Sequence, residues 1–384
     1  MNPLRIMIVD DSAIVRGMLS RRLGEQTDFM IAATAVDGQM ALDEIQKSPV
    51  DVVILDLEMP RMDGFTALPE IRRLLPEAKI LISSTLTERN ADIALKALSM
   101  GANDYVSKPS SRQKQQEADV YYQEIVDKIR ALTGRSVPAV KKNVFISTLH
   151  SAQNSSKVVN AALAVKVSTG GALDGLPHTP TQCLPLQRPL ALAIASSTGG
   201  PQALLSIFGH IGKSIESVPV FVTQHMPATF TTILAKHIHQ ASGLNCHEAE
   251  ETEEVKAGCI YIAPGDFHLR VRKETDGVRI RLGQDAAVNY CRPAADPMIA
   301  SLVEIYQSRL LLLVLTGMGQ DGMEGARLVM QAGGTVVAQD KASSTVWGMP
   351  RAVAEHGYCK GILSLADIGP YLQMVFGGGV HAAR

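Results

Sequence analysis

Residues 190–202 read LALAIASSTGGPQ. The stretch opens as an unbroken run of Leu, Ala and Ile, far too short to span a membrane but right for a strand buried on both faces. It turns polar at Ser196, Ser197 and Thr198, passes through Gly199, Gly200 and Pro201, and enters a helical pattern at Leu204, Leu205, Ile207 and Phe208. A buried strand running through glycines into a helix predicts an α/β fold whose reactive groups stand at the C-terminal ends of parallel strands. Glycine lets backbone N–H groups approach a ligand, and a helix N-terminus favours developing negative charge. Three readings of the stretch stay open: a hydroxyl nucleophile, a glycine-rich phosphate cradle, or a plain strand-to-helix turn.

Outward from this point the α/β rhythm continues. Strands are expected at 190–195, 219–222, 259–262, 310–315 and 335–338, with helices at 202–210, 229–240, 297–306 and 322–332. Polar residues again follow strands: His225 in TQHMP, and Asp321 in TGMGQDG. Ser197, His225 and Asp321 are therefore expected to meet above one sheet edge. A serine hydroxyl needs a base to accept its proton and a carboxylate to hold that base in the right tautomer. Glycines around Ser197 and Met318 would let backbone N–H groups face an oxyanion. His237 and His239 lie two apart on an expected helix, where side chains diverge, which argues against a metal there.

The N-terminal part shows the same alternation. Strand patterns at 5–9, 51–57, 79–84 and 104–106 end at Asp10 and Asp11, at Asp56, at Ser83, and before Lys108. Helical patterns lie between, at 12–23 and 92–100 for instance. A parallel sheet gathers these ends at one edge. Three carboxylates so close repel unless a hard cation joins them, and Mg²⁺ suits oxygen ligands. Asp56 could then attack a phosphoryl donor while the metal and Lys108 neutralise the growing charge.

Between the two parts, 134–188 is rich in Ser, Thr, Asn, Gln, Pro and Gly, and reads as a flexible tether. Within it, 160–167 could form a helical turn, and 168–171 repeats STGG without the flanking strand and helix. The chain has 384 residues, enough for two or three cores, and a formal net charge of -1, so no bulk field draws it to nucleic acid or lipid. No signal peptide pattern opens it, and five cysteines without a CxxC pair read as reduced thiols, so a cytoplasmic protein is expected.

IVDDS, LDLEMPRMDG and the Lys108–Pro109 pair closely resemble the receiver domain of two-component response regulators, over 1–133. The resemblance implies that Asp56 accepts the phosphoryl group and that Asp10 and Asp11 join it in holding Mg²⁺, with the Glu58 backbone carbonyl. It makes Ser83 the switch hydroxyl and Lys108 the phosphate contact. Tyr105 falls where the family has a rotating aromatic, and an ordinary half-buried strand tyrosine is an open alternative. Further on, ASSTGG, TQHMP, YIAPGD, LTGMGQDG and VWGMPR resemble, in order, the catalytic domain of the CheB family of chemotaxis protein-glutamate methylesterases, matching about 189–370 of a domain spanning 189–384.

That resemblance implies Ser197 as nucleophile, His225 as base and Asp321 as the residue orienting it. Thr198, Gly199 and Met318 would serve the oxyanion and substrate, and no cofactor is expected in this domain. The implied reaction is hydrolysis of glutamyl methyl esters on methylated chemoreceptors, with glutamine deamidation as a companion activity. The implied phosphodonor is the histidine kinase CheA, for a monomeric chain without nucleic-acid binding or membrane insertion. Ala195 and Cys291 depart from the family pattern, where glycine and histidine are common. Unphosphorylated receiver should lie over Ser197, and phosphorylation should relieve the block. Rival readings are a DNA-binding regulator, disfavoured by 15 Lys or Arg against 17 Asp or Glu from Pro189 onward, a serine hydrolase of another substrate class such as a peptidase, and an inactive adaptor.

Overall fold

The computed structural model describes residues 2–85, 87–109, 115–135 and 176–377. Among these, the chain forms two parallel sheets and one antiparallel hairpin. The first sheet holds β1 (Leu4–Val9), β2 (Phe29–Ala35), β3 (Val52–Asp56), β4 (Lys79–Thr85) and β5 (Asp104–Lys108), in the order β2-β1-β3-β4-β5. Helices α1 (Ala13–Gly24), α2 (Gly38–Lys47), α3 (Gly64–Leu74), α4 (Glu88–Ser99) and α5 (Gln115–Leu132) alternate with the strands. The alternation along β1 explains the layering: Met7 and Val9 face one core, Ile6 and Ile8 the other. Ser12, Asp37, Asp63 and Thr87 cap α1 to α4, each accepting a backbone N–H three residues on. Each such cap contributes about 1 kcal/mol.

The second half contains β6 (Ala191–Ser196), β7 (Val220–Gln224), β8 (Asn245–Glu248), β9 (Cys259–Ile262), β10 (His268–Glu274), β11 (Gly277–Gly283), β12 (Leu310–Val314), β13 (Thr335–Gln339) and β14 (Gly361–Leu363). Its helices are α6 (Gly200–Ile211), α7 (Ala228–Ser242), α8 (Ala295–Tyr306), α9 (Met323–Gln331), α10 (Met349–Glu355) and α11 (Leu365–Phe376). The sheet runs β14-β13-β12-β6-β7-β9-β8, while β10 and β11 pair as a separate hairpin. From β6 the chain first steps to β7 and later returns to β12 on the opposite flank. The ends of β12, β6 and β7 therefore lie side by side where the winding reverses, the place where parallel sheets open a crevice.

The hairpin is not expected from the sequence, because its alternating charged residues carry little apolar signal. The expected tether also needs correction at its end. Residues 176–188 include a 3₁₀ turn at Pro180–Cys183 that packs on the second half, with the Tyr371 hydroxyl donating to the Cys183 carbonyl at 3.1 Å and Lys360 Nζ to that of Leu184 at 2.7 Å. Cys183 and Leu184 are the apolar residues that anchor it. The segments 160–167 and 168–171 lie outside the described residues. No helix among the described residues is long and apolar enough to cross a membrane.

The two halves are in contact. Helix α4 packs against α7, and Tyr105 of β5 stacks on Phe230 of α7 with centroids 4.2 Å apart and planes 10° apart. His237 Nε2 meets Asp92 Oδ1 at 2.8 Å, and the Gln202 side-chain amide donates to the Ala102 carbonyl at 3.0 Å. His239 bonds elsewhere, to the Leu244 carbonyl, so the two histidines point to different partners. An offset aromatic pair of this kind adds about 0.5–1.5 kcal/mol beyond its buried area.

Candidate active site

Strand β6 ends in Ser196, whose buried hydroxyl donates to Gln224 Oε1 at 2.7 Å. The same glutamine's amide donates to the Ser197 carbonyl at 2.9 Å, and Ser197 N–H donates to the Thr316 carbonyl at 3.0 Å. Ser197 is thus pinned between the ends of β7 and β12. Gly199 follows with φ of 76°, the left-handed region that favours glycine. A side chain at Gly199 would also collide with Thr345, and one at Gly317 would come within 2.8 Å of the Ser197 Cβ. These two glycines let the loop after β12 close onto the serine. Pro201 occupies the first turn of α6, where its missing N–H costs nothing.

His225 follows β7, with its N–H on the Ser196 carbonyl at 3.1 Å. Its Nε2 lies 2.7 Å from Asp321 Oδ2. Asp321 is held from the other side by the N–H groups of Ala295 (2.5 Å, to Oδ2) and Asp296 (3.2 Å, to Oδ1), and by the Asn289 amide (3.1 Å, to Oδ1). The first two open α8, so a helix N-terminus faces the carboxylate. Burial by itself would raise the Asp321 carboxyl. The His225 bond and these backbone donors outweigh it and hold the group below its ordinary value. For His225, burial disfavours the charged ring, but hydrogen bonds with Asp321 and Cys291 prevail and push it up to about 10.

The structure brings His225 and Asp321 together but joins no hydrogen bond between Ser197 Oγ and the ring among the described residues, unlike the expected assembled set. The physical reason is that both ring nitrogens are engaged: Nδ1 faces Cys291 Sγ at 3.5 Å. The side chain of Thr198 is engaged elsewhere. Its hydroxyl donates to Asp104 Oδ2 of β5 at 2.8 Å, so the side chain faces the N-terminal half rather than the crevice. The backbone N–H groups of Thr198 and Met318 have no hydrogen-bond partner among the described residues. A cleft of about 520 Å³, lined by Asn289, Tyr290, Gly319, Gln320, Gly348 and Arg351 among others, opens next to Met318 at Gly319.

At the other sheet edge, carboxylate oxygens of Asp10, Asp11 and Asp56 lie within 4.8 Å of one another. Lys108 Nζ bridges Asp10 Oδ2 at 2.8 Å and Asp56 Oδ2 at 2.7 Å. One lysine against three carboxylates leaves net negative charge, and hard oxygen donors suit Mg²⁺. Burial pushes Asp56 up to about 6 although Lys108 pulls it down. Glu58 donates its N–H to Asp56 Oδ1 at 3.3 Å, and its carboxylate accepts from Asn90 at 2.9 Å. The Ser83 hydroxyl is bonded to Tyr121 OH at 2.7 Å, a partner that no sequence motif announces. Tyr105 is buried rather than half-buried, because Phe230 covers it.

Residues 192–372 match the family model described as CheB methylesterase, and residues 6–118 match the response regulator receiver domain. A protein-glutamate methylesterase/protein-glutamine glutaminase of group 2 operon from Rhodospirillum centenum is 43% identical over 379 residues, covering 97% of this chain and 94% of that protein. The chain belongs to the CheB methylesterase family. A protein of the same description from Rhodopseudomonas palustris is 44% identical, covering 98% of this chain and 95% of its own. The crystal structure of the Thermotoga maritima CheB methylesterase catalytic domain is 42% identical with a TM-score of 0.47, covering 48% of this chain and 97% of that one. The first sheet is accordingly a receiver domain and the second a methylesterase domain. Asn289, Gln224 and the α8 N-terminus escape sequence reasoning, since Asn and Gln carry no spacing signature and Ala295 contributes only its backbone.

Proposed function

We propose that this chain hydrolyses glutamyl methyl esters on methylated chemoreceptors, and deamidates glutamines there, under control of phosphorylation at Asp56. The observation that carries the reading is the His225–Asp321 pair, 2.7 Å apart, at the strand end beside Ser197. In the proposed reaction Ser197 Oγ attacks the ester carbonyl and His225 takes its proton. The oxyanion is met by the free N–H groups of Thr198 and Met318, next to the left-handed turn at Gly199. His225 then returns the proton to the departing methoxide, releasing methanol, and water completes hydrolysis of the acyl group. Asp321 keeps the ring oriented throughout.

Regulation follows from the contact between the halves. Asp104 holds the hydroxyl of the residue next to the nucleophile, and Tyr105 is stacked on Phe230, so the receiver covers this side of the crevice. Asp10, Asp11 and Asp56 would hold Mg²⁺ with the Glu58 carbonyl, and the ion would supply charge neutralisation during phosphoryl transfer. Lys108 would contact the arriving phosphoryl group and Ser83 would leave Tyr121 to meet it. A cytoplasmic histidine kinase, CheA in this family, is the proposed donor. The test is methanol release from methylated receptor membranes with and without a small phosphodonor. Stimulation in the intact chain, lost in Asp56→Asn, is expected; equal stimulation in that variant rejects Asp56 as the switch.

A further inference from the structure

An imidazole has two nitrogens, and Asp321 holds Nε2 of His225. Three further donors fix that carboxylate in place. Nδ1 is therefore the atom left to take the proton of Ser197, and it faces Cys291 Sγ at 3.5 Å. Cys291 is not an ordinary core thiol: Cys183, Cys246, Cys259 and Cys359 are buried, whereas Cys291 is partly exposed. It is presented by a tight turn in which Val288 and Cys291 exchange backbone hydrogen bonds at 3.1 and 2.9 Å. The two residues between them, Asn289 and Tyr290, both carry left-handed φ values, 51° and 65°. Two adjacent non-glycine residues in that region store conformational strain, which persists only where surroundings enforce it.

The same turn reaches the other end of the pair, since Asn289 donates to Asp321 Oδ1 at 3.1 Å and to Asp296 Oδ2 at 3.0 Å. Between these two inward contacts Tyr290 stands fully in solvent, 101% exposed, and with Asn289 lines the cleft. One four-residue segment thus touches the carboxylate, the imidazole and the space a substrate enters. We propose that Cys291 is a positioning residue for ester hydrolysis, its sulfur occupying Nδ1 of His225 at rest so that Ser197 gains its base only when the 288–291 turn gives way. This rests on the assignment of Ser197, His225 and Asp321. Sulfur forms no covalent bond in the cycle. At rest Nδ1–H donates to the sulfur; when the turn moves, that hydrogen loses its acceptor and passes as a proton to water, and the freed lone pair then accepts the Ser197 proton.

The test uses the full chain and methylated receptor membranes, with kcat and KM measured separately across pH and with a phosphodonor present. Cys291→Ala is expected to raise kcat about three- to ten-fold, the range of one ordinary hydrogen bond, with KM unmoved. It should also move the acid limb of kcat to lower pH. The working base must be neutral, and a ring that loses its second partner gives up its proton more readily. Cys291→Ser, which restores a hydrogen-bonding atom, should return both readouts toward the parent chain. Unchanged kcat and limb in Cys291→Ala overturn the proposal, as does a fall in kcat in both variants. Ser197→Ala in the same assay separates the two levels. Residual turnover near the parent rate removes the nucleophile assignment, whereas a dead Ser197→Ala beside a parent-like Cys291→Ala removes only the role given to Cys291.

Discussion

The receiver's acidic edge and the crevice of the methylesterase domain are built alike, each at the C-terminal ends of parallel strands, yet they rest in different states. In the receiver the charged groups are already engaged, with Lys108 on both Asp10 and Asp56. In the methylesterase domain the proposed relay is only partly assembled: His225 is joined to Asp321, while among the described residues Ser197 has no bond to the ring. Moreover, hydrogen bonds with Asp321 and Cys291 push the ring up to about 10, which favours its protonated form at rest. The difference is one of engagement: in the first site the charged groups pair with one another, whereas in the second Cys291 meets the imidazole and Asp104 meets Thr198, the two contacts that the proposed restraint rests on.

The comparison breaks most directly at the proposed nucleophile, Ser197. Ser197→Ala should lower methanol release by about 10⁴-fold or more with the fold retained, because the remaining groups supply only binding and oxyanion stabilisation. Turnover within ten-fold of the parent would mean that the partly assembled relay is not the machinery. Next comes Asp321→Asn, expected to cost about 10³–10⁴-fold in kcat as the ring loses its orienting carboxylate. Chelation of Mg²⁺ should then erase stimulation by a phosphodonor while leaving unstimulated hydrolysis intact, read in the same methanol assay. A chelator that silences both would show that the two edges do not divide the labour in this way.

Smaller effects sharpen the picture of restraint. Tyr105→Ala removes the stack on Phe230 and should raise unstimulated hydrolysis about two- to ten-fold, the equivalent of 0.5–1.5 kcal/mol. No rise would locate the restraint elsewhere. The protonated ring also makes a linkage prediction. Folded His225 keeps its proton up to about 10, above its ordinary 6.5. Its contribution to stability is therefore full below 6.5 and is lost as pH climbs toward 10, on the order of 5 kcal/mol at most. Denaturant midpoints measured across that window should fall in the parent and stay flatter in Asp321→Asn.

Much of this architecture is legible in the amino-acid sequence. The apolar run ending in SSTGG, the TQHMP that follows β7 and the TGMGQDG that follows β12 each announce a strand end, and the sheet does the rest by aligning them. The receiver's Asp10, Asp11, Asp56 and Lys108 are legible for the same reason. What stays hidden depends on contacts between segments with no periodic signal. Thr198 reads as part of a catalytic turn, and only the docked receiver reveals that its hydroxyl serves Asp104. Cys291 reads as an oddity in VNYCRP, since nothing local tells that a strained turn carries its sulfur to a ring 66 residues away in sequence. Tyr121, on α5, gives no hint that it holds Ser83.

Strand β5 carries Asp104 at its first residue and Lys108 at its last, so a single five-residue rod bears both the anchor on Thr198 and the lysine between the acidic side chains. At the usual rise per residue these two sit about 13 Å apart. The rod is also outermost in its sheet, laddered to β4 alone, leaving one flank without a neighbouring strand to resist sliding. Under the proposed phosphorylation of Asp56, any tug on the lysine has only four peptide links in which to fade before it reaches the carboxylate bonded to Thr198.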